Sequence, residues 1–428
     1  MDLVPTKSQD IIIVGGGVAG LFAARELLTQ GYPVTVLEAN DRLGGRIHTI
    51  HDSSFDPPVE KGVEFIHGNL PLTFQLLKEA GIEYSPVGGR MVRVVNGEWK
   101  TQDDFTIGWK ELMERMNEVR VDMTVQQFLE KNFSENKYER LRTSVLRFAE
   151  GFDLADPSKA SVLALREEWM GEEGEQYRIP GGFDQLINHL EKQCLKSGGH
   201  IQTSSLVSKI EWQRNNVAVI TADKKTYHSN KIIITVSLGV LLTEPPVIVF
   251  QPTIDGYLEA AHKIGYGSVV KVLLQFKESF WEETRKNIGF LLTEEAIPTW
   301  WTQLPSSYPL LTGWAGGPQA WELENKDERS ILELALQSLS NIFNKPVDEL
   351  KDLLTAALIA NWNQDAFAKG GYSYSMVGSR EAQKFLSTPI DDTIFFAGEA
   401  FYVGPSPGTV EAALVSAKNV VEKIVSAK

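Results

Sequence analysis

A single cysteine, Cys194, stands among 428 residues, which excludes a disulfide framework and a thiolate metal centre. It falls within the helical pattern Phe183 to Lys196, where burial against a neighbouring element is expected. Nor does any run approach the roughly 18 apolar residues of a spanning helix, so no membrane segment is expected. The first ten residues place Asp2, Pro5, Lys7 and Asp10 around no apolar core, so no secretory leader is expected and a cytoplasmic location is. Basic residues are in deficit, 42 Lys and Arg against 56 Asp and Glu, for a net charge of −14. Such a surface repels nucleic acid and anionic lipid. Internal repeats and biased tracts are missing too, and no metal is expected. What remains is an ordinary globular composition, 43% hydrophobic and 23% charged, with room for two or three domains.

The most informative stretch is residues 10–46. The run Ile11 to Val14 predicts a buried strand and breaks into Gly15-Gly16-Gly17-Val18-Ala19-Gly20. Helical periodicity follows through Leu21, Ala24, Leu27 and Leu28, and a second strand, Val34 to Leu37, ends on Glu38. Strand, glycine turn, helix, strand and acid make the βαβ unit that binds a dinucleotide. Gly15 permits the tight turn, Gly17 lets the backbone approach a pyrophosphate, and Gly20 lets the helix sit close on the sheet. The helix N-terminus offers N–H groups and a positive dipole end to the phosphates. Glu38 suits two ribose hydroxyls and repels a 2′-phosphate, which leaves FAD or NAD rather than NADP. Arg42-Leu43-Gly44-Gly45-Arg46 then offers two guanidinium forks for a second approach to the pyrophosphate.

Further along, Asn96-Gly97 between two short strands signals a type I′ hairpin. Residues 104–150 read as helices, with Thr124-x-x-Gln127 as a capping box. Strand periods return at Leu206 to Trp212, Val217 to Thr221, Lys231 to Val236 and Val269 to Phe276, with Asn215-Asn216 as a turn. Ser330 to Phe343, Val347 to Leu354 and Val410 to Val425 read as helices.

The Gly-Gly-Arg after the glycine turn resembles that of the flavin-containing amine oxidases, the family that includes polyamine and monoamine oxidases. Five separated segments carry the resemblance in order over nearly the whole chain. They are Val59 to Gly68; Arg178 to Phe183 with Leu206 to Ile210; Ile264 to Val272 with Phe280-Trp281; Trp362-x-x-Asp365 with Gly370 to Tyr374; and Phe396 to Ala400 with Gly408 to Glu411. The resemblance implies an α/β fold in which a Rossmann-type FAD-binding domain (1–85, 200–245 and 385–428) is interleaved with a mixed α+β substrate domain (86–199 and 246–384). It also implies site residues. Gly15, Gly17, Gly20, Glu38, Gly45, Arg46, Val207, Trp362, Gly398, Glu399, Thr409 and Val410 would hold FAD. Val207 would hold the adenine through its backbone, and Glu399 the ribityl or pyrophosphate. Thr409-Val410 opens the last helix toward flavin O2 and N1, where its N–H groups stabilise the reduced ring.

Lys271, His67 and Tyr372 are the implied catalytic positions. Alternation alone predicts Lys271 to be a solvated surface lysine, on the face opposite Val270, Val272 and Leu274. The resemblance instead implies a lysine that holds a water against flavin N5 and assists reoxidation by O2. His67 would lie near the reacting amine, and Tyr372 would form one wall of an aromatic slot. The cysteine that carries covalent FAD in mitochondrial monoamine oxidases aligns near Tyr372, so the FAD here is expected to be non-covalent. Four positions depart from the family pattern: Lys61 replaces Leu, Ser406 replaces the tyrosine of the opposite wall, and Glu411-Ala412 replaces His-Gly. Tyr402, Trp300, Trp301 and Trp314 are candidates for the missing wall, and Ile297 to Trp301 for the pocket lining. The implied reaction transfers hydride from an amine α-carbon to flavin N5, with hydrolysis of the imine to an aldehyde or ketone and reduction of O2 to H2O2. A flavin dehydrogenase or desaturase of the same fold, an NAD enzyme and a non-catalytic flavoprotein binding module remain the alternatives.

Overall fold

The short apolar runs with no polar alternation are strands covered on both faces, as a parallel sheet requires. In the computed structural model, which describes residues 10–95, 97–101, 106–171 and 174–426, they form one five-stranded sheet. Its elements and neighbours in chain order are β1 (Ile11–Val14), α1 (Val18–Thr29), β2 (Val34–Leu37), α2 (Asp184–Lys196), β3 (His200–Gln202), β4 (Lys231–Ile234), β5 (Ile394–Phe396) and α3 (Val410–Ser426). The strand order is β3-β2-β1-β4-β5, parallel throughout. Val14 is in register with Leu37 and Ile234, and Ile234 with Phe396, so the strands end together at one edge. That carboxyl edge is where open α/β sheets bind ligands.

Alternate residues serve the two faces. Ile11, Ile13, Val34, Val36, Ile233 and Phe395 pack under α1, α2 and α3. Ile12, Val14, Ile232, Ile234 and Phe396 face a second, four-stranded sheet built on Val207–Gln213. A seven-stranded sheet forms the other half of the molecule, with Val269–Phe276 between Leu354–Asn361 and Leu310–Gly316 and one face covered by the helix Glu328–Phe343. The helices Trp109–Glu118, Val125–Asn132, Glu139–Gly151 and Val162–Gly171 share a further core. The capping box at Thr124 and Gln127 is formed in both directions.

Three elements lie across the expected domain limits. α2, expected in the substrate part, packs against α1, because it is the crossover helix that delivers the chain to β3 beside β2. Cys194 is buried there, its Sγ 3.4 Å from the Leu21 carbonyl. The strand Val249–Gln251 pairs in parallel with Val207–Gln213, so that sheet runs past residue 245. The helix Ser379–Leu386 begins before residue 385 and packs into the core under the five-stranded sheet. The helix expected to reach Leu354 ends at Leu353, and the turn expected at Asn215-Asn216 falls on Arg214-Asn215.

The strands Arg90–Val95 and Glu98–Thr101 pair antiparallel, but Asn96 of their turn lies outside the described residues. So do residues 104–105 of the expected helical stretch, residues 1–9 of the expected leaderless start and the last two residues. No helix of the described residues is long and apolar enough to cross a membrane.

Candidate active site

A continuous cavity opens at the carboxyl edge of the parallel sheet and runs between the two halves. Gly15 makes the turn out of β1 with a φ of +112°, and its N–H donates to the Leu37 carbonyl at 2.8 Å. At Gly20 a Cβ would fall 2.0 Å from the Gly15 oxygen, so only glycine lets α1 approach this closely. Gly17, which precedes α1 without a side-chain cap, lies on the cavity wall, where a Cβ would meet nothing nearer than the Gly44 oxygen at 3.9 Å. The positive end of α1 therefore meets the cavity across bare backbone.

Glu38 is buried at the end of β2, with Oε2 accepting from the Gly16 N–H at 2.6 Å and Oε1 from the Asn40 N–H at 2.8 Å. Gly45, Arg46, Val207, Trp362, Gly398, Glu399, Thr409 and Val410 line the same cavity. Arg46 Nη1 donates to Glu399 Oε1 at 2.7 Å and to the Gly371 carbonyl at 2.8 Å. Glu399 Oε2 accepts from the Ser373 hydroxyl at 2.6 Å, so both its oxygens are engaged within the protein. Arg42, expected as a second fork for the pyrophosphate, donates instead to the carbonyls of Leu43, Gly45 and Ile47. Thr409 caps α3, accepting from the Ala412 N–H and donating to the Ser406 carbonyl. Trp362 Nε1 donates to the Lys61 carbonyl at 3.1 Å.

The surface reading of Lys271 is overturned. Its face of the strand does not meet water but the segment Val59 to His67, and Lys271 is 1% exposed. Nζ lies 2.8 Å from Glu64 Oε2, donates to the Gly62 carbonyl at 3.1 Å and sits 5.7 Å from the Trp301 ring centre. Glu64 Oε1 in turn accepts from Arg178 Nε at 3.1 Å and from Trp301 Nε1 at 2.9 Å. Burial alone would push the Glu64 carboxyl up, but the charges of Lys271 and Arg178 hold it below its ordinary value. Glu64 and Arg178 were legible only as members of matched segments. The available signal was an acid inside the otherwise apolar run Val63 to Ile66.

His67 follows on the strand Ile66–His67, its ring edge-on to Phe152 at 5.3 Å. Among the described residues its buried Nδ1 has no hydrogen-bond partner, and burial pushes the imidazole down to about 4, so the ring is neutral. Tyr372 donates to the Phe152 carbonyl and lies against Gly408. Of the candidates for the opposite wall, Trp301 and Trp314 line the cavity, whereas Trp300 is fully buried in the core and Tyr402 is off the wall. In Ile297 to Trp301 only Pro298, Thr299 and Trp301 reach the cavity. The stacked pair Phe148 and Phe152 adds aromatic surface that the motifs did not reveal. Glu411 accepts from the Leu72 and Thr73 N–H groups, at 2.9 and 2.7 Å, and from the Thr73 hydroxyl. It caps the helix Pro71–Ala80, so its departure from the family's histidine serves packing. Among the described residues no group of three or more His, Cys, Asp or Glu is placed to hold a metal ion.

A family model described as flavin containing amine oxidoreductase matches residues 18–425. Polyamine oxidase 2 of Arabidopsis thaliana is 29% identical over 446 residues, covering 95% of this chain and 86% of that protein. Lysine-specific histone demethylase 2 of Homo sapiens is 26% identical over 429 residues, covering 92% of this chain and 50% of that protein. A solved structure of wild-type putrescine oxidase bound to putrescine matches with a TM-score of 0.82 at 18% identity, covering 99% of this chain and all of that one. At that identity the likeness carries the fold alone.

Proposed function

The chain belongs to the flavin-containing amine oxidoreductase family, with FAD as cofactor, and on that premise we propose that it oxidises a small amine at the carbon bearing nitrogen and passes the electrons to O2. Bound FAD supplies the hydride acceptor and the two-electron route to dioxygen. The residues present fit it. Bare backbone at Gly17 and Gly45 would admit the diphosphate, and Glu38 would take the ribose. Val207 would hold the adenine edge, and Gly398, Glu399, Arg46 and Trp362, on the same cavity wall, would enclose the remainder. With both its oxygens taken by Arg46 and Ser373, Glu399 acts through the groups it orients. Thr409 fixes the start of α3 so that its first N–H groups, with that of Val410, meet developing negative charge. The one cysteine lies off the cavity wall, out of reach for a thioether link, which supports non-covalent FAD.

At the substrate end, His67 lines the cavity as a neutral ring, which suits a hydrogen bond to an amine nitrogen in its neutral form. Tyr372, Phe152, Trp301 and Trp314 exclude water from the reacting carbon. Loss of hydride from the neutral amine would leave an iminium, which water hydrolyses to an aldehyde or ketone with release of the nitrogen as ammonia or an amine. The observation that carries the reading is the buried Lys271 ammonium on the wall of the cavity that also reaches the Gly15–Gly20 turn. A cation kept dry on this wall would favour transfer of charge from the bound cofactor to O2.

The test is a peroxide-coupled screen of the yellow holoenzyme over polyamines, monoamines and amino acids, with anaerobic bleaching and acid release of the flavin followed in parallel. Bleaching by an amine, stoichiometric H2O2 and a soluble released flavin are expected. Failure of every amine to bleach the flavin would leave a binding module. Bleaching with slow recovery in O2 would leave a dehydrogenase.

A further inference from the structure

We propose that Glu64 is the positioning residue that keeps Lys271 charged and aimed, so that the lysine serves the cavity as a fixed cation. The inference rests on the oxidase reading and deepens it, by naming the group that holds the proton on its key side chain.

Burial penalises an ammonium that has no counter-charge, and Lys271 is enclosed on all sides. Three charged groups face it. Glu64 approaches from the segment before the strand Ile66–His67, at 2.8 Å. Glu60 approaches from Val59–Glu60, but burial pushes its carboxyl up to about 7, and Oε1 already accepts from the Phe183 N–H at 2.6 Å. Arg178, from Gln176–Arg178, is itself a cation and opposes a second one. The strand Thr299–Trp301 and the residues after it contribute only the neutral Trp301 and Gln303. Among the described residues Glu64 is therefore the one carboxylate within ion-pair distance of Nζ.

The surroundings of Glu64 commit it to this task. Arg178 Nε and Trp301 Nε1 hold Oε1, which leaves Oε2 directed at Nζ. Nζ meets Oε2 as an ion pair and donates its hydrogen bond to the Gly62 carbonyl, which fixes the aim. Arg178 is braced through the carbonyls of Thr302 and Leu304, so the carboxylate is held from two elements that do not carry the lysine. An acid placed only to fill space would not need three donors converging on it.

Removing the carboxylate charge while keeping its shape isolates the effect. In Glu64→Gln, reoxidation by O2 should match the parent at low pH and then fall about tenfold per pH unit once the amine has lost its proton. The parent should stay flat over the same range. Anaerobic reduction should keep the parent's pH profile, Lys271→Met should be slow and flat, and the double variant should be no slower than Lys271→Met. If Glu64→Gln does not accumulate as holoenzyme, Glu64→Asp carries the same test, with its fall at a pH between the two. The midpoint potential of the bound flavin gives a readout that needs neither amine nor O2. It should drop with pH more steeply in Glu64→Gln than in the parent. A potential and a reoxidation rate with the parent's pH dependence in either variant would overturn the proposal. A parent that no amine reduces would sink the oxidase reading instead, and the potential titration would still decide the role of Glu64.

Discussion

Replacing Lys271 by methionine separates the two half-reactions. Methionine fills nearly the same volume on the Val269–Phe276 strand but removes the ion pair to Glu64, the hydrogen bond to Gly62 and the charge over Trp301. Glu64 is not stranded, because Arg178 at 3.1 Å and Trp301 at 2.9 Å still hold it. The stability cost should therefore fall below the ~3–5 kcal/mol typical of breaking a buried pair outright. The kinetic cost is larger and selective. A fixed charge or donor aimed at developing negative charge in a dry site is worth ~3–4 kcal/mol, or roughly 10²–10³ in rate. That charge develops while O2 takes electrons, whereas reduction by the amine delivers hydride to the ring and makes less use of a cation already in place. Stopped-flow absorbance should show reoxidation slowed by about two to three orders of magnitude, with anaerobic reduction in the parent's range and FAD content unchanged. Equal traces for both half-reactions in mutant and parent would make Lys271 a spectator and return the desaturase reading.

Glu38→Ala should weaken FAD binding by ~3 kcal/mol, about a hundredfold in Kd, with flavin content restored by excess FAD; unchanged affinity in a fluorescence titration would assign the ribose to another group. Because burial holds His67 down at about 4, kcat/KM for the amine should show no inflection at the ordinary imidazole value of ~6.5. A rise toward higher pH belongs to the substrate's ammonium losing its proton, and an inflection near 6.5 that vanishes in His67→Gln would contradict the neutral assignment. Glu411→Ala strips the acceptor from two buried N–H groups and the Thr73 hydroxyl, and should cost ~3–5 kcal/mol in denaturant unfolding. An unchanged midpoint would mean that water replaces the carboxylate at the start of the helix Pro71–Ala80.

The dinucleotide half was legible because its physics is local. Ile11 to Val14, the glycine turn and Glu38 each satisfy a constraint set within a few residues, and β1, α1 and β2 form where the pattern put them. The substrate half was less legible. The strands Ile288–Leu292, Thr299–Trp301 and Leu310–Gly316 have interiors without alternation, since both faces are largely covered. The strand Leu354–Asn361, with Ala356, Ala357 and Ala360, has helix-favouring composition and is a strand only because Val269–Phe276 offers it an edge. Likewise α2 reads correctly as a helix, but its place beside α1 depends on where the chain must go next.

The site divides in the same way. Gly15, Gly17, Gly20 and Glu38 announce themselves, whereas the state of Lys271 is decided by residues some two hundred positions away. Alternation established correctly that Lys271 and Val270 point to opposite faces, and then assigned water to the wrong one. Which face is wet depends on whether another segment covers it, and only assembly of the two halves brings Val59 to His67 over that face. Once covered, a lysine stays only if a carboxylate comes with the cover, and Glu64 does. Arg42 and Arg46 show the same dependence: both guanidinium groups lie near the glycine turn, but Arg42 donates back to the carbonyls of Gly45 and Ile47, whereas Arg46 reaches Glu399 across the cavity. A charged side chain in this fold is read correctly only together with the opposing segment that neutralises it, and for the candidate catalytic lysine that segment is the one carrying Glu64 and His67.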